Sequence, residues 1–475
     1  MKKSLLILNS LMIVFSILGC SKSNEKISEK QNSSTGMISI NVGGLVNSNK
    51  SESTSQSVSW TDVPSLKEAF VDSGYFDRFG IACELNEIGN KTTAKGLAYQ
   101  ANSTTPGNEC KPQFIFWYPK PAIGGSYTDS TGKTITVPTN LNFAAKMDPY
   151  LKAVSAAGLQ MRGHVLVWHS QTPEWFFTKN YEDEVIVDEN GVPTNLADKA
   201  TMLARQEWYI KSVLEHVAEW EEANGYAGKS TEKESGKKHL IYAWDVVNEA
   251  AADDATKTNY LRGDTPNTKN KAPNAPNGNG SRWYQIFGDD TFITNAFRLA
   301  NAYAPSDVLL AYNDYNCYLE WTEGYKTSAI CSIVKSIQNA PAKKINGKLI
   351  KPRIDIIGMQ SHVGETYPTL SGVETAIKTL LNLGLDIHIT EFDMATKKKT
   401  EQPLFKQYFK LFMKYSKNKG TTIKGHGITG VTVWGINDEN SWIGQGGQQF
   451  PLLFTKKGSK YMTKDCFYDL INLTK

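Results

Sequence analysis

The sequence predicts an α/β protein: a (β/α)8 barrel with elaborated strand-to-helix loops, preceded by a flexible N-terminal tether. Three observations lead there. From about Trp60 onward, eight short apolar segments rich in β-branched residues alternate with amphipathic helical stretches, the order that closes a parallel sheet with crossover helices. No GxGxxG opens a strand-to-helix turn, which argues against the runner-up, a doubly wound open sheet. The 475 residues are 40% hydrophobic and 21% charged, an ordinary globular composition, and one barrel domain holds most of such a length.

The elements run in the following order. Lys2 and Lys3 precede an apolar stretch from Leu5 to Leu18, too short to span a bilayer, which ends in Ile17-Leu18-Gly19-Cys20. This resembles a bacterial lipoprotein signal over residues 1–19, with Cys20 as the lipid-modified first residue. Ser21 is not acidic, so the outer membrane or cell surface is the expected address, with a periplasm-facing anchor also open. Residues 20–59 are rich in Ser, Asn and Lys and read as a tether reaching ~35 Å as a random coil; the apolar patch Met37 to Val46 interrupts it as a candidate added strand. Residues 60–475 are read as one catalytic barrel.

The strand candidates are Phe79–Cys83, a poorly defined one near Gly107–Lys111, Met161–Trp168, Tyr242–Val247, Val308–Tyr312, Ile354–Met359, Asp386–Thr390 and Ile428–Trp434. Between them, Leu203, Ile210, Leu214 and Val217 share a helical face, as do Val373, Ile377, Leu380 and Leu381. Leu404, Tyr408, Leu411, Phe412 and Tyr415 mark another helix, with Gly384 as the expected C-cap of the one before it. Pro119–Asn140, Tyr226–Lys238 and Ala251–Gly280 lack periodic pattern and read as long loops. Five cysteines follow Cys20, an odd number that leaves at least one unpaired. No Cys/His spacing suggests a metal site. The net charge of +4, with no basic stripe, does not imply nucleic acid. No cofactor is implied, and a monomer is expected.

In such barrels the chemistry gathers at the C-terminal ends of the strands. The predicted ends are polar: Trp168-His169, Asn248-Glu249, Asn313-Asp314, Gln360 with His362, Glu391 with Asp393, and Trp434. Strand alternation places Gln360 with His362 on one face, and Ile387, Ile389, Glu391 and Asp393 on one face. By the same parity His388 is expected to face the helices, so His388 with Glu391 is not a metal pair. Carboxylates ending the fourth and seventh strands suit glycoside cleavage, one as acid and one as nucleophile, with a separation of about 5–5.5 Å expected of a retaining enzyme. Glu249 must then stay protonated near neutral pH, its pKa raised by the charge of Glu391.

At these residues the chain resembles glycoside hydrolase family 10. The motifs are Asn108-Glu109-Cys110-Lys111; Arg162 through His169, Gln171 and Trp175; Trp244-Asp245-Val246-Val247-Asn248-Glu249; Tyr312-Asn313-Asp314-Tyr315-Asn316; Ile357-Gly358-Met359-Gln360-Ser361-His362; Ile389-Thr390-Glu391-Phe392-Asp393; and Trp434 and Trp442 before Pro451-Leu452-Leu453-Phe454. They cover about residues 60–475 in order. The resemblance implies a retaining endo-1,4-β-xylanase acting on xylan or xylo-oligosaccharides, with Glu249 as acid/base and Glu391 as nucleophile. It implies that Asn248 binds the 2-hydroxyl of the −1 sugar, with His169 and Gln360 completing that subsite. His362 would bond the nucleophile, with Asp393 behind it. Asn108 and Lys111 would hold glycone sugars, Trp175, Trp434 and Trp442 would wall the pocket, and Tyr315 would add a further substrate contact.

One departure stands out. Gly107 takes the place of a glutamate that in this family commonly meets the −2 sugar, which predicts altered glycone binding. Arg162, His164, Trp60, Trp208 and Trp220 are read as structural. Two other functions remain open from sequence: hydrolysis of another β-1,4-glycan, and a non-hydrolytic glycan-binding lipoprotein. The presence of both glutamates argues against the second.

Overall fold

The computed structural model describes residues 60–116, 120–275, 279–320, 325–398, 402–444 and 447–475. The lipoprotein signal, Cys20, the tether and the Met37–Val46 patch lie outside the described residues.

Eight parallel strands form the barrel: β1 (Arg78–Ile81), β2 (Ser103–Thr104), β3 (Gln160–Trp168), β4 (Ile241–Asn248), β5 (Leu309–Asp314), β6 (Ile356–Met359), β7 (Asp386–Ala395) and β8 (Ile428–Val433). Each pairs with its successor, except that a kink at Ser361 leads β6 into a short strand (His362–Gly364) also paired to β7, and β1 pairs with β8 to close the ring. The helices that cover it are α1 (Lys91–Gln100), α2 (Met147–Ala157), α3 (Lys199–Ala223), α4 (Thr291–Tyr303), α5 (Lys326–Asn339), α6 (Leu370–Leu381), α7 (Pro403–Lys414) and α8 (Asp465–Ile471). The fold is a (β/α)8 barrel, as the alternation of segments predicts.

Strands covered on both faces are apolar throughout rather than alternating, and every residue of β4 is buried. Ile210, Leu214 and Val217 of α3, the predicted face of α6, and Tyr408, Leu411 and Phe412 of α7 turn into the core. Gly384 takes φ +76 and donates its N–H to the Leu381 carbonyl at 3.0 Å, although the cap residue itself is Asn382. Of the long loops, Ile123–Thr128 and Thr134–Pro138 pair as an antiparallel hairpin, while Thr231 caps a one-turn helix at Glu232–Ser235. Trp60 packs on Phe454 and Tyr461, joining the start of the barrel domain to its end. Cys83, Cys110, Cys317, Cys331 and Cys466 are all buried free thiols.

Two expectations need correction. The second strand lies at Ser103–Thr104, not near Gly107–Lys111. Two small polar residues carry no apolar period, so the strand was invisible; residues 107–111 are instead the turn at its exit, held by a Cys83–Pro106 bridge. His388 does not face the helices. Its ring lies 6.1 Å from that of Tyr242 on β4, which in turn lies under the Arg78 guanidinium of β1. These strands are not neighbours, so the three meet only across the barrel interior. The register of β7 against β8 shifts between Ile389 and Phe392, and this irregularity breaks the alternation that parity assumed. Beyond it Phe392 packs outward on Phe405, Tyr408, Phe409 and Phe412 of α7.

Candidate active site

β4 ends at Asn248, and Glu249 follows with a left-handed backbone (φ +56). A non-glycine residue there is held only by its surroundings, at a cost of order 1 kcal/mol. Here the Glu249 N–H donates to the Asn313 carbonyl at 2.9 Å, and its own carbonyl accepts from Arg262 Nε at 2.9 Å. Gln171, Asn316 and Ser361, also just beyond strand ends, share the left-handed conformation. Of these, Glu249 and Gln171 carry their side chains to Gln360 and Asn108 at the barrel mouth.

A continuous amide network joins the two glutamates. Gln360 Nε2 donates to Glu249 Oε1 at 2.9 Å and to Asn248 Oδ1 at 3.2 Å. Asn313 Nδ2 donates to the same Asn248 oxygen at 2.9 Å and to Glu391 Oε1 at 2.8 Å. Gly358 on the intervening β6 makes this possible: a Cβ there would stand 2.4 Å from Asn313 Oδ1. Asn248 Nδ2, though buried, has no partner among the described residues, and an unpaired buried amide in a site is one that a ligand can complete.

The two carboxyls have opposite electrostatics. Burial would raise Glu391, but the His362 hydrogen bond (3.3 Å to Oε2) and the fields of His164, His362 and Arg162 outweigh it and hold the group at about 2. His362 is partly buried, and the desolvation disfavours its charge, yet Asp393 at 2.8 Å and Glu391 push it up to about 10. Trp442 Nε1 donates to Asp393 Oδ2 at 2.8 Å, completing the line Trp442–Asp393–His362–Glu391. Glu249 is raised above the ordinary carboxyl range, by burial first and by Asp314 in addition, against Arg262, Gln360 and Trp168. The expected source, the charge of Glu391, is not among these causes; desolvation does the work.

Asn108 and Lys111 stand together, Lys111 Nζ donating to Asn108 Oδ1 at 3.1 Å and lying 5.2 Å from the Trp168 ring. Trp434 lies 5.7 Å from His164 and 6.5 Å from His362, and Trp442, half exposed, lies 5.1 Å from His362. The Tyr315 hydroxyl is held by Asp253 at 2.7 Å and Arg262 at 2.9 Å, on the Glu249 side. His169 is buried with neither ring nitrogen hydrogen-bonded to a described residue, its Nδ1 4.0 Å from Glu249 Oε2, and lines a small cavity with Trp283 and Phe292. Trp175 is placed differently from the expectation. Its ring is buried among Phe116, Phe176 and Tyr181, because the turn after Pro173 carries it into the aromatic core.

The indole that does reach the carboxyl is Trp168, whose Nε1 donates to Glu249 Oε2 at 2.8 Å. Gln171 Nε2 reaches Asn108 Oδ1 at 3.5 Å, and His164, read as structural, bonds Asp245 at 2.8 Å with ligand atoms within 4.8 Å of Glu391. That trio has the donor set of a metal site, but Arg162 is ion-paired to Asp245, so a permanent guanidinium already supplies the positive charge.

The sequence model of glycosyl hydrolase family 10 matches residues 65–473. The chain belongs to glycosyl hydrolase family 10. Among its relatives within and around this family, endo-1,4-β-xylanase Y of Acetivibrio thermocellus is 33% identical over 394 residues, covering 82% of this chain and 30% of that protein. The endo-1,4-β-xylanase of Geobacillus stearothermophilus is 29% identical over 434 residues, covering 87% and 99%. The solved N-terminal endo-1,4-β-D-xylanase 10B of Clostridium thermocellum, complexed with xylohexaose, superposes with a TM-score of 0.63 at 28% identity, covering 86% of this chain and 68% of that one. The chain spans only 30–52% of the length of the first four curated relatives it matches.

Proposed function

We propose that this family 10 chain is an endo-1,4-β-xylanase that hydrolyses internal β-1,4-xylosidic bonds of xylan with retention of configuration. The observation that carries the reading is the opposite bias of two carboxyls, buried Glu391 and partly buried Glu249, joined through Gln360, Asn248 and Asn313. The names of the relatives support the substrate class. In the first step Glu391 attacks the anomeric carbon, and Glu249 gives its proton to the departing glycosidic oxygen. In the second, Glu249 takes a proton from water, whose oxygen attacks the same carbon and releases Glu391. His362, charged by its place between Asp393 and Glu391, keeps the nucleophile ionised. Asn248 Nδ2, without a partner among the described residues, is suited to the 2-hydroxyl at −1. Gln360 shares that subsite, with His169 behind it; Asn108, Lys111 and Gln171 form the glycone side, and Trp434, Trp442 and Tyr315 flank the cleft. In the same proposal Cys20 carries lipid and anchors the enzyme at the outer membrane or cell surface.

Azide rescue tests the division of labour. Glu391→Ala with azide is expected to give an α-glycosyl azide from an aryl xyloside, and Glu249→Ala a β-glycosyl azide. The reverse stereochemistry exchanges the two roles, and an α product from wild type on xylan removes the retaining mechanism.

A further inference from the structure

The absence of a side chain at Gly107 leaves a question about the glycone side of the cleft, and Glu84 answers it. The bridge between Cys83 and Pro106, reinforced by the Gly107 N–H to Cys83 carbonyl bond at 3.3 Å, sets Glu84 and Gly107 beside each other at the exits of β1 and β2. The backbone is fixed there from both sides. The Glu84 N–H donates to Glu87 Oε2 at 2.9 Å, and the Leu85 N–H to Glu109 Oε1 at 2.6 Å. A Cβ built on Gly107 would stand 2.3 Å from Glu84 Oε1. The volume into which a residue-107 side chain would leave the backbone is therefore already filled by the Glu84 carboxyl. That carboxyl also joins the polar row of the site: Asn108 Nδ2 donates to Oε1 at 2.7 Å, and Asn108 in turn accepts from Lys111. Its second oxygen, Oε2, takes no hydrogen bond from any described residue.

Building on the hydrolase reading, we propose that Glu84 is a specificity-determining residue, supplying from β1 the carboxyl that binds a hydroxyl of the second glycone sugar in place of the one Gly107 lacks. The two positions are alternatives: glycine at 107 is what admits glutamate from 84. Gly107→Glu alone then places two carboxyls in one volume and lowers activity instead of raising it.

The test compares two aryl glycosides with the same leaving group, one of xylose and one of xylobiose, so that only the second sugar differs. The ratio of their kcat/KM values is internal to each variant and does not depend on the fraction folded. Glu84→Ala is expected to depress the xylobioside-to-xyloside ratio by ~10- to 100-fold, the scale of one hydrogen bond to a charged group. The double variant E84A/G107E is expected to recover most of that ratio. A ratio unmoved by Glu84→Ala, in a wild type active on both compounds, overturns the assignment of Glu84 alone. So does a double variant that recovers nothing while Gly107→Glu is harmless. A wild type inert on both overturns the hydrolase reading, and this inference falls with it.

Discussion

Replacing His362 by alanine exposes how the cleft keeps one carboxyl ionised. His362 holds Glu391 Oε2 at 3.3 Å and Asp393 at 2.8 Å, and burial opposes the resulting depression of Glu391 from 4.5 to about 2. That gap is worth ~3 kcal/mol at about 1.4 kcal/mol per pH unit. In His362→Ala the largest counterweight to burial is gone, and the negative Asp393 faces Glu391 directly, so the nucleophile should titrate at or above its ordinary value. The sign follows from the chemistry: attack needs the ionised form, so activity is lost as pH falls through the folded pKa of Glu391. At about pH 4 the ionised fraction drops to roughly a quarter or less in the variant and stays near one in wild type. The assay is kcat/KM for an aryl xylobioside with a good leaving group across about pH 3–8, where protonation of the leaving group matters little. The acid limb should move up by more than one pH unit. Stability follows the same sign rule: the Glu391 contribution is present above 4.5 and lost as pH falls through about 2, while that of His362 is present below 6.5 and lost as pH rises through about 10. Superimposable acid limbs in wild type and His362→Ala would refute the reasoning.

Glu84 is pushed up to about 7 by burial first and by Glu109, so the folded state binds its proton more tightly and stability falls as pH rises from 4.5 through about 7. Discounted for its partial exposure, the cost is ~1–2 kcal/mol; Glu84→Gln should raise Tm at about pH 8 and not at about pH 4, and equal Tm changes at both would count against it. For the proposed anchor, cells fed a radioactive fatty acid should label the wild type and not Cys20→Ala, and equal label in both ends that proposal.

Much of the architecture was legible because apolar runs at strand length repeat with helical stretches between them. β2 was not, since Ser103 and Thr104 give no period to detect. The same alternation misled where strands are irregular. The shift between Ile389 and Phe392 on β7 lets His388 and Glu391 share the inner side despite their odd spacing, and one between His164 and Val167 on β3 lies in the stretch that brings His164 and Trp168 to the site. The motif that names Glu249 and Glu391 is local, so both were readable, together with Asn248, Gln360 and His362. Trp175 was not distinguished from Trp168, because two tryptophans seven residues apart differ only in what the turn after Pro173 does with them. Arg262 comes from the loop after β4, whose composition carries no pattern, and its contact with the Glu249 carbonyl exists only in three dimensions. Glu84 had a usable signal: it follows the first strand directly, where the barrel-mouth rule places reactive groups.

The five buried thiols make the barrel a set of clocks. They sit at the exit of β1 (Cys83), beyond β2 (Cys110), beyond β5 (Cys317), on α5 (Cys331) and on α8 (Cys466). Burial pushes Cys83 and Cys466 up to about 12 and Cys331 to about 11, so an alkylating reagent meets neither an exposed sulfur nor a thiolate in the closed molecule. Each labelling event therefore marks the opening of one sector of the circumference. Variants retaining one cysteine apiece would time those openings sector by sector and show whether the cleft side of the barrel breathes before the side where α8 closes the ring.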